Sequence, residues 1–220
     1  MHQDLDFRSL GVVRFSGKSN LIRFSARKTF LSVRTFMENW EDWQKLFQFG
    51  TIVIWPPDVV REIVNLQRQR YDPVSQSYCE THISVTQPLL RLLDDEWDRI
   101  HHLLLGYQTF TIQYGPLNSF LPYPCIWYEI QPRENILEIR NALHKTGFFN
   151  LDMKLTTNFI PHMTITEGLS GPPVDETLLQ LLQEESREGS FQCTELAYIY
   201  PDEQFCFNVE KKFPLRDIET

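Results

Sequence analysis

The sequence predicts an α+β fold in which two pseudo-symmetric antiparallel sheets line a central cleft, with helices packed outside. Three observations predict it. Short alternating or β-branched segments interleave with segments of helical periodicity along most of the chain. A strand–helix–loop–strand unit occurs twice, with an offset of 76 to 80 residues between equivalent positions, as an internal duplication would leave it. Each copy ends in an alternating strand that carries a histidine two residues before a hydroxyl side chain.

The first unit opens with TIVIW at 51–55, a β-branched run stopped by Pro56-Pro57. Val59, Val60, Ile63 and Val64 then share one face of a helix over 58–70. A polar loop with Pro73 leads to THISVT at 81–86, where apolar and polar residues alternate. The second unit opens with CIWYEI at 125–130, stopped by Pro132. Ile136, Ile139 and Leu143 mark a helix over 133–146 with Gly147 as its C-cap, and a loop leads to FIPHMTIT at 159–166. Pro56 to His82 spans 26 residues and Pro132 to His162 spans 30. Each unit is then extended. Pro88 opens a helical stripe of Leu89, Leu93, Trp97, Ile100 and Leu104, closed by Gly106 and followed by a strand at 109–114. In the second half a helix over 174–186 precedes strands at 191–200 and 204–211, joined at Pro201-Asp202-Glu203.

Composition narrows the function classes. The 220 residues are 42% hydrophobic and 23% charged, which suits a folded chain of one domain or of two lobes sharing a core. No apolar run reaches bilayer-spanning length and no segment reads as a secretory signal, so a cytoplasmic chain without membrane attachment is expected. The net charge of -8 is unevenly placed: residues 1–36 carry +5, with no acid between Arg8 and Arg34, and the remainder carries -13. We read 1–36 as a variable, disordered basic extension, with organelle targeting disfavoured by Asp4 and Asp6, and 37–216 as the folded domain. A body this acidic suits a small nucleotide or an RNA end better than a long nucleic acid. Cys79, Cys125, Cys193 and Cys206 form no CxxC pair and read as reduced thiols, although Cys193 and Cys206 sit where a hairpin could bring them face to face.

The chemistry lies in His82-Ile83-Ser84 and His162-Met163-Thr164. On a strand, residues i and i+2 share a face, so each segment offers one imidazole and one hydroxyl to the same space while Ile83 and Met163 point into the core. Thr86 and Thr166 extend the two polar faces. One such tripeptide is weak evidence, since a lone strand histidine is usually a satisfied structural residue. Two of them at equivalent places in a repeated unit point to one convergent site. Imidazole titrates near neutrality, so one histidine can take a proton while the other gives one, and the two hydroxyls can donate to an oxyanion. Two histidines and two hydroxyls make a poor zinc shell, so neither a metal nor another cofactor is expected. Cys79, three residues before His82, is expected to point away from it on an extended chain. His101, His102 and His144 read as residues suited to helix C-terminal ends, and Phe120, Trp127 and Tyr128 as aromatics near the motifs, with core packing favoured for Trp127.

The paired motifs THISVT and PHMTIT, with FTIQYG at 110–115, Phe120 and CIWYEI between them, resemble the 2H phosphoesterases, the 2′-5′ RNA ligase or cyclic phosphodiesterase superfamily. The resemblance covers roughly residues 50–211 and implies a bilobal 2H fold. It implies His82 and His162 as the catalytic pair and Ser84 and Thr164 as phosphate-binding; Thr86 and Thr166, by their place on the polar faces, and Phe120 and Tyr128, by their proximity to the motifs, are read as further substrate contacts. In that family the first histidine usually serves as acid and the second as base for ring opening. Members of the RNA ligase branch often carry a basic residue shortly after the second motif, where this chain has Thr166-Glu167-Gly168. The implied activity is metal-independent hydrolysis of a cyclic phosphate or a 2′-linked nucleotide or RNA phosphodiester by a monomer. The rival readings are 2′-5′ RNA ligation and a non-catalytic module that binds RNA ends or nucleotides.

Overall fold

The computed structural model of the chain describes residues 37–153 and 158–217, and the elements below lie in the compact unit that begins at Asn39. The basic extension expected over 1–36 lies outside the described residues. Eight strands form the sheet: β1 (Thr51–Ile54), β2 (Ile83–Ser84), β3 (Phe110–Ser119), β4 (Ile126–Gln131), β5 (His162–Thr166), β6 (Gly189–Cys193), β7 (Glu195–Pro201) and β8 (Phe207–Pro214). The helices are α1 (Asp42–Lys45), α2 (Asp58–Tyr71), α3 (Pro73–Tyr78), α4 (Glu96–Leu104), α5 (Arg133–His144) and α6 (Glu176–Glu185).

The strands are ordered β6-β3-β4-β5-β2-β1-β7-β8, with every neighbouring pair antiparallel. The duplication is visible in this order. Reading outward from the centre, β5-β4-β3-β6 mirrors β2-β1-β7-β8, and each half begins with a histidine strand followed by the strand that precedes a helix. The two expected sheets are therefore the two halves of one continuous order, joined where Ile83 of β2 pairs with Met163 of β5. One apolar core serves both halves, from Ile52, Ile54 and Val85 on one side to Ile126, Ile130 and Ile165 on the other. A smaller cluster of Val53, Ala197 and Ile199 covers the opposite face of the β1–β7 pair. The strict period of two in β1 sends Ile52 and Ile54 to the first cluster and Val53 to the second.

Two local readings differ from the sequence expectation, and the reduced state read for the cysteines holds while the face-to-face placement of Cys193 and Cys206 does not. The stripe from Leu89 to Leu104 is helical only from Glu96. Leu89 and Leu93 are buried all the same, Leu89 through an isolated bridge to Phe149, so burial and not helicity explains their apolar character. The polar loop at Pro73 is a short helix, with Pro73 in its first turn and Asp72 as N-cap accepting from Ser75 N at 3.3 Å. Cys193 and Cys206 are both free thiols: Cys193 closes β6, and Cys206 Sγ contacts the Ser77 carbonyl instead.

Asp72 is the main polar anchor of the first half. It is fully buried, and besides Ser75 it accepts from Ser170 Oγ (2.9 Å), Glu167 N (2.9 Å), Thr166 Oγ1 (3.2 Å) and Leu169 N (3.4 Å). A single carboxylate thus pins the loop that follows β5 onto the end of α2. The same loop needs Gly171, whose φ is +86° and where a Cβ would sit 2.2 Å from the Tyr71 carbonyl oxygen. Replacing Asp72 by alanine orphans several buried donors at once. We predict a loss of about 3 kcal/mol in equilibrium urea unfolding at an unchanged denaturant slope. A loss below about 1 kcal/mol would show that the loop re-pairs with water.

Candidate active site

The register at the centre of the sheet sets the site. Ile83 and Met163 are both fully buried and paired, pointing toward the helices. Their neighbours therefore point the other way, so His82 and Ser84 on one strand and His162 and Thr164 on the other share the cleft face. Continuing the antiparallel register sets His82 beside Thr164 and Ser84 beside His162. Each imidazole thus lies across from the other strand's hydroxyl. All four side chains are half-buried.

The two imidazoles are held in the same way. His82 Nδ1 lies 2.8 Å from the Glu80 carbonyl oxygen, and His162 Nδ1 lies 2.7 Å from the Ile160 carbonyl oxygen. A carbonyl only accepts, so Nδ1 carries the proton in both rings and Nε2 is the nitrogen left for chemistry. Burial lowers the basicity of both. His82 is pushed down to about 4 by desolvation, with the Arg68 charge and His162 adding to the effect and the Glu80 hydrogen bond opposing it. His162 is lowered by desolvation against the hydrogen bond to Ile160.

His82, Ser84 and His162 line a cavity of about 660 Å³, a size typical of small-ligand sites. Its walls are largely aromatic. Phe120 meets the His162 ring edge-on at 5.3 Å and stacks on Trp127 at 4.8 Å. Trp127 is buried, lies 5.5 Å from the His162 ring, and its Nε1 has no hydrogen-bond partner among the described residues. On the first half, Trp43, Phe47, Tyr78 and Phe207 line the cavity around Phe205, which is held at a φ of 64° at the turn between β7 and β8.

The structure distributes the remaining sequence candidates unequally. Phe120 lines the cavity, while Tyr128 is buried and donates to Gln67 Oε1 at 3.0 Å. Thr86 is buried at the cavity edge with its hydroxyl occupied by Ile52 N and Thr51 Oγ1. Thr166 is fully buried and serves Asp72 and Gly168 N, away from the cavity. Cys79 differs from expectation: its Sγ lies 3.3 Å from His82 Nδ1 and lines the cavity. The chain bends between the end of α3 and β2, so the alternation of an extended strand does not reach back to residue 79. Burial pushes the Cys79 thiol up to about 12, which keeps it a thiol and a poor nucleophile. His144 is no helix-terminal cation either. Burial and the nearby Arg140 push it down to about 4, and its Nε2 accepts from Gln87 N at 3.3 Å.

Two arginines were missed by sequence reading, and both were detectable. Arg68 continues the buried stripe Val60, Val64, Tyr71 of α2, and Arg140 sits in the buried stripe Ile136, Ile139, Leu143 of α5. An arginine on the apolar face of an amphipathic helix is the signal. Both line the cavity, and each crosses to the opposite half. Arg68 Nη1 donates to the Thr164 carbonyl at 3.0 Å, and Arg140 Nη1 donates to the Val85 carbonyl at 2.7 Å. Arg68 is otherwise saturated by Gln76 Oε1, Ser75 and the Cys79 carbonyl. Its charge lies near Glu167, whose carboxyl is raised by burial and lowered by Arg68. Among the described residues no group of three or more His, Cys, Asp or Glu side chains could hold a metal ion. No helix of the described residues is long and apolar enough to cross a membrane.

Comparison with known proteins agrees with this geometry. The chain is 28% identical over 123 residues to a protein of Bacillus anthracis (strain A0248) named only provisionally as a phosphoesterase, covering 54% of this chain and 69% of that one. Its fold is similar to that of Escherichia coli LigT, solved with 3′-AMP, at a TM-score of 0.50 and 18% identity over 76% of this chain and 98% of LigT. TT0787 of Thermus thermophilus gives a TM-score of 0.51 at 14% identity, over 77% of this chain and 98% of that one. The model of the 2′-5′ RNA ligase superfamily matches residues 55–204, a span that holds both histidine strands and both inward arginines, and the chain belongs to that superfamily of 2H phosphoesterases.

Proposed function

We propose that the chain hydrolyses a cyclic phosphate or a 2′-linked nucleotide or RNA phosphodiester without a metal, using His82 and His162 as its acid–base pair. One observation carries the reading. Both imidazoles fix Nδ1 on a carbonyl of their own chain two residues upstream, which leaves Nε2 of each for the common cavity. In-line attack at phosphorus needs that arrangement. One neutral Nε2 takes a proton from water as the new P–O bond forms. The other, protonated, gives its proton to the ribose oxygen as the old P–O bond breaks. Ser84 and Thr164 donate to the non-bridging oxygens, and Arg68 supplies a nearby positive charge for the anion. The aromatic walls offer faces for a nucleobase.

The test is turnover of a small panel in the presence of EDTA: 2′,3′-cyclic nucleotides, ADP-ribose 1″,2″-cyclic phosphate, 2′-5′ oligoadenylate and a short RNA ending in a cyclic phosphate. We expect EDTA-resistant turnover of at least one substrate, with kcat lowered about 10²- to 10⁴-fold in His82→Ala and in His162→Ala. Joining of RNA ends in place of hydrolysis would favour ligation. No turnover anywhere, with nucleotide binding intact in both variants, would leave a binding module.

The pH profile has a definite sign. The reactive free enzyme holds one proton on the pair, and kcat/KM reports the titration of that free form. Both imidazoles lie below the ordinary histidine value, so protons leave the pair early as pH rises. We predict that kcat/KM falls with increasing pH from a point below about 6.5. The bound phosphate favours the imidazolium, so the descending limb of kcat should lie at higher pH than that of kcat/KM. A kcat/KM that keeps rising through pH 8 would exclude a protonated imidazole as the acid.

A further inference from the structure

Arg68 and Arg140 occupy equivalent helices of the two halves, and their surroundings differ in one respect. Arg68 spends its guanidinium on the Thr164 and Cys79 carbonyls, Gln76 and Ser75. Arg140 is 3% exposed, and among the described residues its one hydrogen bond is to the Val85 carbonyl. Its Nη2 is buried with no partner, and no ion pair reaches it among the described residues. Its guanidinium carbon lies 4.0 Å from the Phe159 ring centroid, so one face is shielded from water. The adjacent His144 is held neutral and supplies no counter-charge. Burial alone pushes Arg140 down to about 10, still charged at neutral pH. A buried guanidinium without a carboxylate is costly; the Val85 carbonyl satisfies one edge of Arg140, and an anionic ligand is the group that would complete the other. Its planar fork suits the paired oxygens of a phosphate.

We propose that Arg140, flanked by Phe159, is a second anion site within the cavity of the histidine pair, and that it takes a second phosphate of the substrate. The substrate class is then a nucleotide that carries a further phosphate besides the one attacked, as a phosphorylated nucleoside cyclic phosphate or an RNA end does. A bare nucleoside cyclic phosphate leaves the site empty. This proposal rests on the hydrolytic reading above only for its kinetic readout.

The experiment compares adenosine 2′,3′-cyclic phosphate with its 5′-phosphorylated form, using the full chain, Arg140→Met and Arg140→Lys. Thermal melts accompany each variant. For wild type we expect kcat/KM to favour the 5′-phosphorylated substrate by about 10- to 100-fold, the worth of one charged hydrogen-bonded contact. Arg140→Met should collapse that ratio toward one, and Arg140→Lys should restore part of it. A wild-type ratio near one, or a ratio that survives Arg140→Met, would overturn the proposal. So would an equal loss for both substrates with a lowered melting temperature, the mark of a clamp on Val85. If wild type turns over neither substrate, the kinetic readout is lost whatever the wider substrate panel shows. The second site is then judged by calorimetry with adenosine 3′,5′-bisphosphate and 3′-AMP. Tighter binding of the bisphosphate that Arg140→Met abolishes supports it, and equal binding in wild type overturns it.

Discussion

The pairing of Ile83 with Met163 is the constraint on which the site depends. Among the described strands it is the one pairing that joins the two halves of the sheet, and both side chains are fully buried in the common core. Because strand side chains alternate, this single core contact dictates that both histidines and both hydroxyls emerge on the opposite face. A slip by one residue on either strand would bury an imidazole and expose an isoleucine or a methionine, so the hydrophobic pattern enforces the register that brings the histidines together. Duplication is efficient here. Two copies of one strand, packed antiparallel through their apolar residues, set each imidazole opposite the other copy's hydroxyl.

A junction this short leaves carbonyls that the ladder does not use, and the two inward arginines answer that need. Arg68 reaches the Thr164 carbonyl from the first half and Arg140 reaches the Val85 carbonyl from the second. Each helix thereby grips the histidine strand of the other half, and the cost of burying a guanidinium is offset by tying the lobes together. The same two charges give a cavity in an acidic chain an inward positive character. The copies have diverged in how far each arginine is satisfied. A saturated arginine shapes a wall, whereas one with a free, buried donor edge can still bind.

Much of the fold was legible in the sequence because it is written in local period. Thr51–Ile54, the alternation in 81–86 and 159–166, and the stripe of 133–146 each carry a signal that tertiary context preserves. The misreadings came where burial and periodicity separate. Leu89 and Leu93 mimic a helical stripe but are buried in irregular chain, and Cys79 escapes strand alternation because the chain bends before β2. Thr86 and Thr166 share the motif faces by count, yet nearby backbone amides, a threonine and Asp72 claim their hydroxyls. The meeting of His82, Ser84 and His162 on one cavity was legible from spacing. The arginines are harder to see, because a helix stripe is defined by its apolar members and Arg68 and Arg140 are the polar exceptions on the same buried faces.

The depressed basicity of the histidine pair follows from the same packing. Anchoring Nδ1 on a carbonyl raises an imidazole's affinity for a second proton, but enclosure by Phe120, Trp127 and the aromatic wall around Phe205 costs more than that bond returns. The pair by itself therefore prefers two neutral rings, a state that can accept a proton at Nε2 and has no imidazolium proton to give. A phosphodiester, the substrate proposed above, would bring the missing negative charge into a space with few competing dipoles, where one imidazolium becomes favourable. Substrate charge and catalytic protonation are then coupled. On the proposed reading, the anion that the arginines attract would also make one histidine an acid, so a neutral molecule of the same shape would occupy the cleft without arming it.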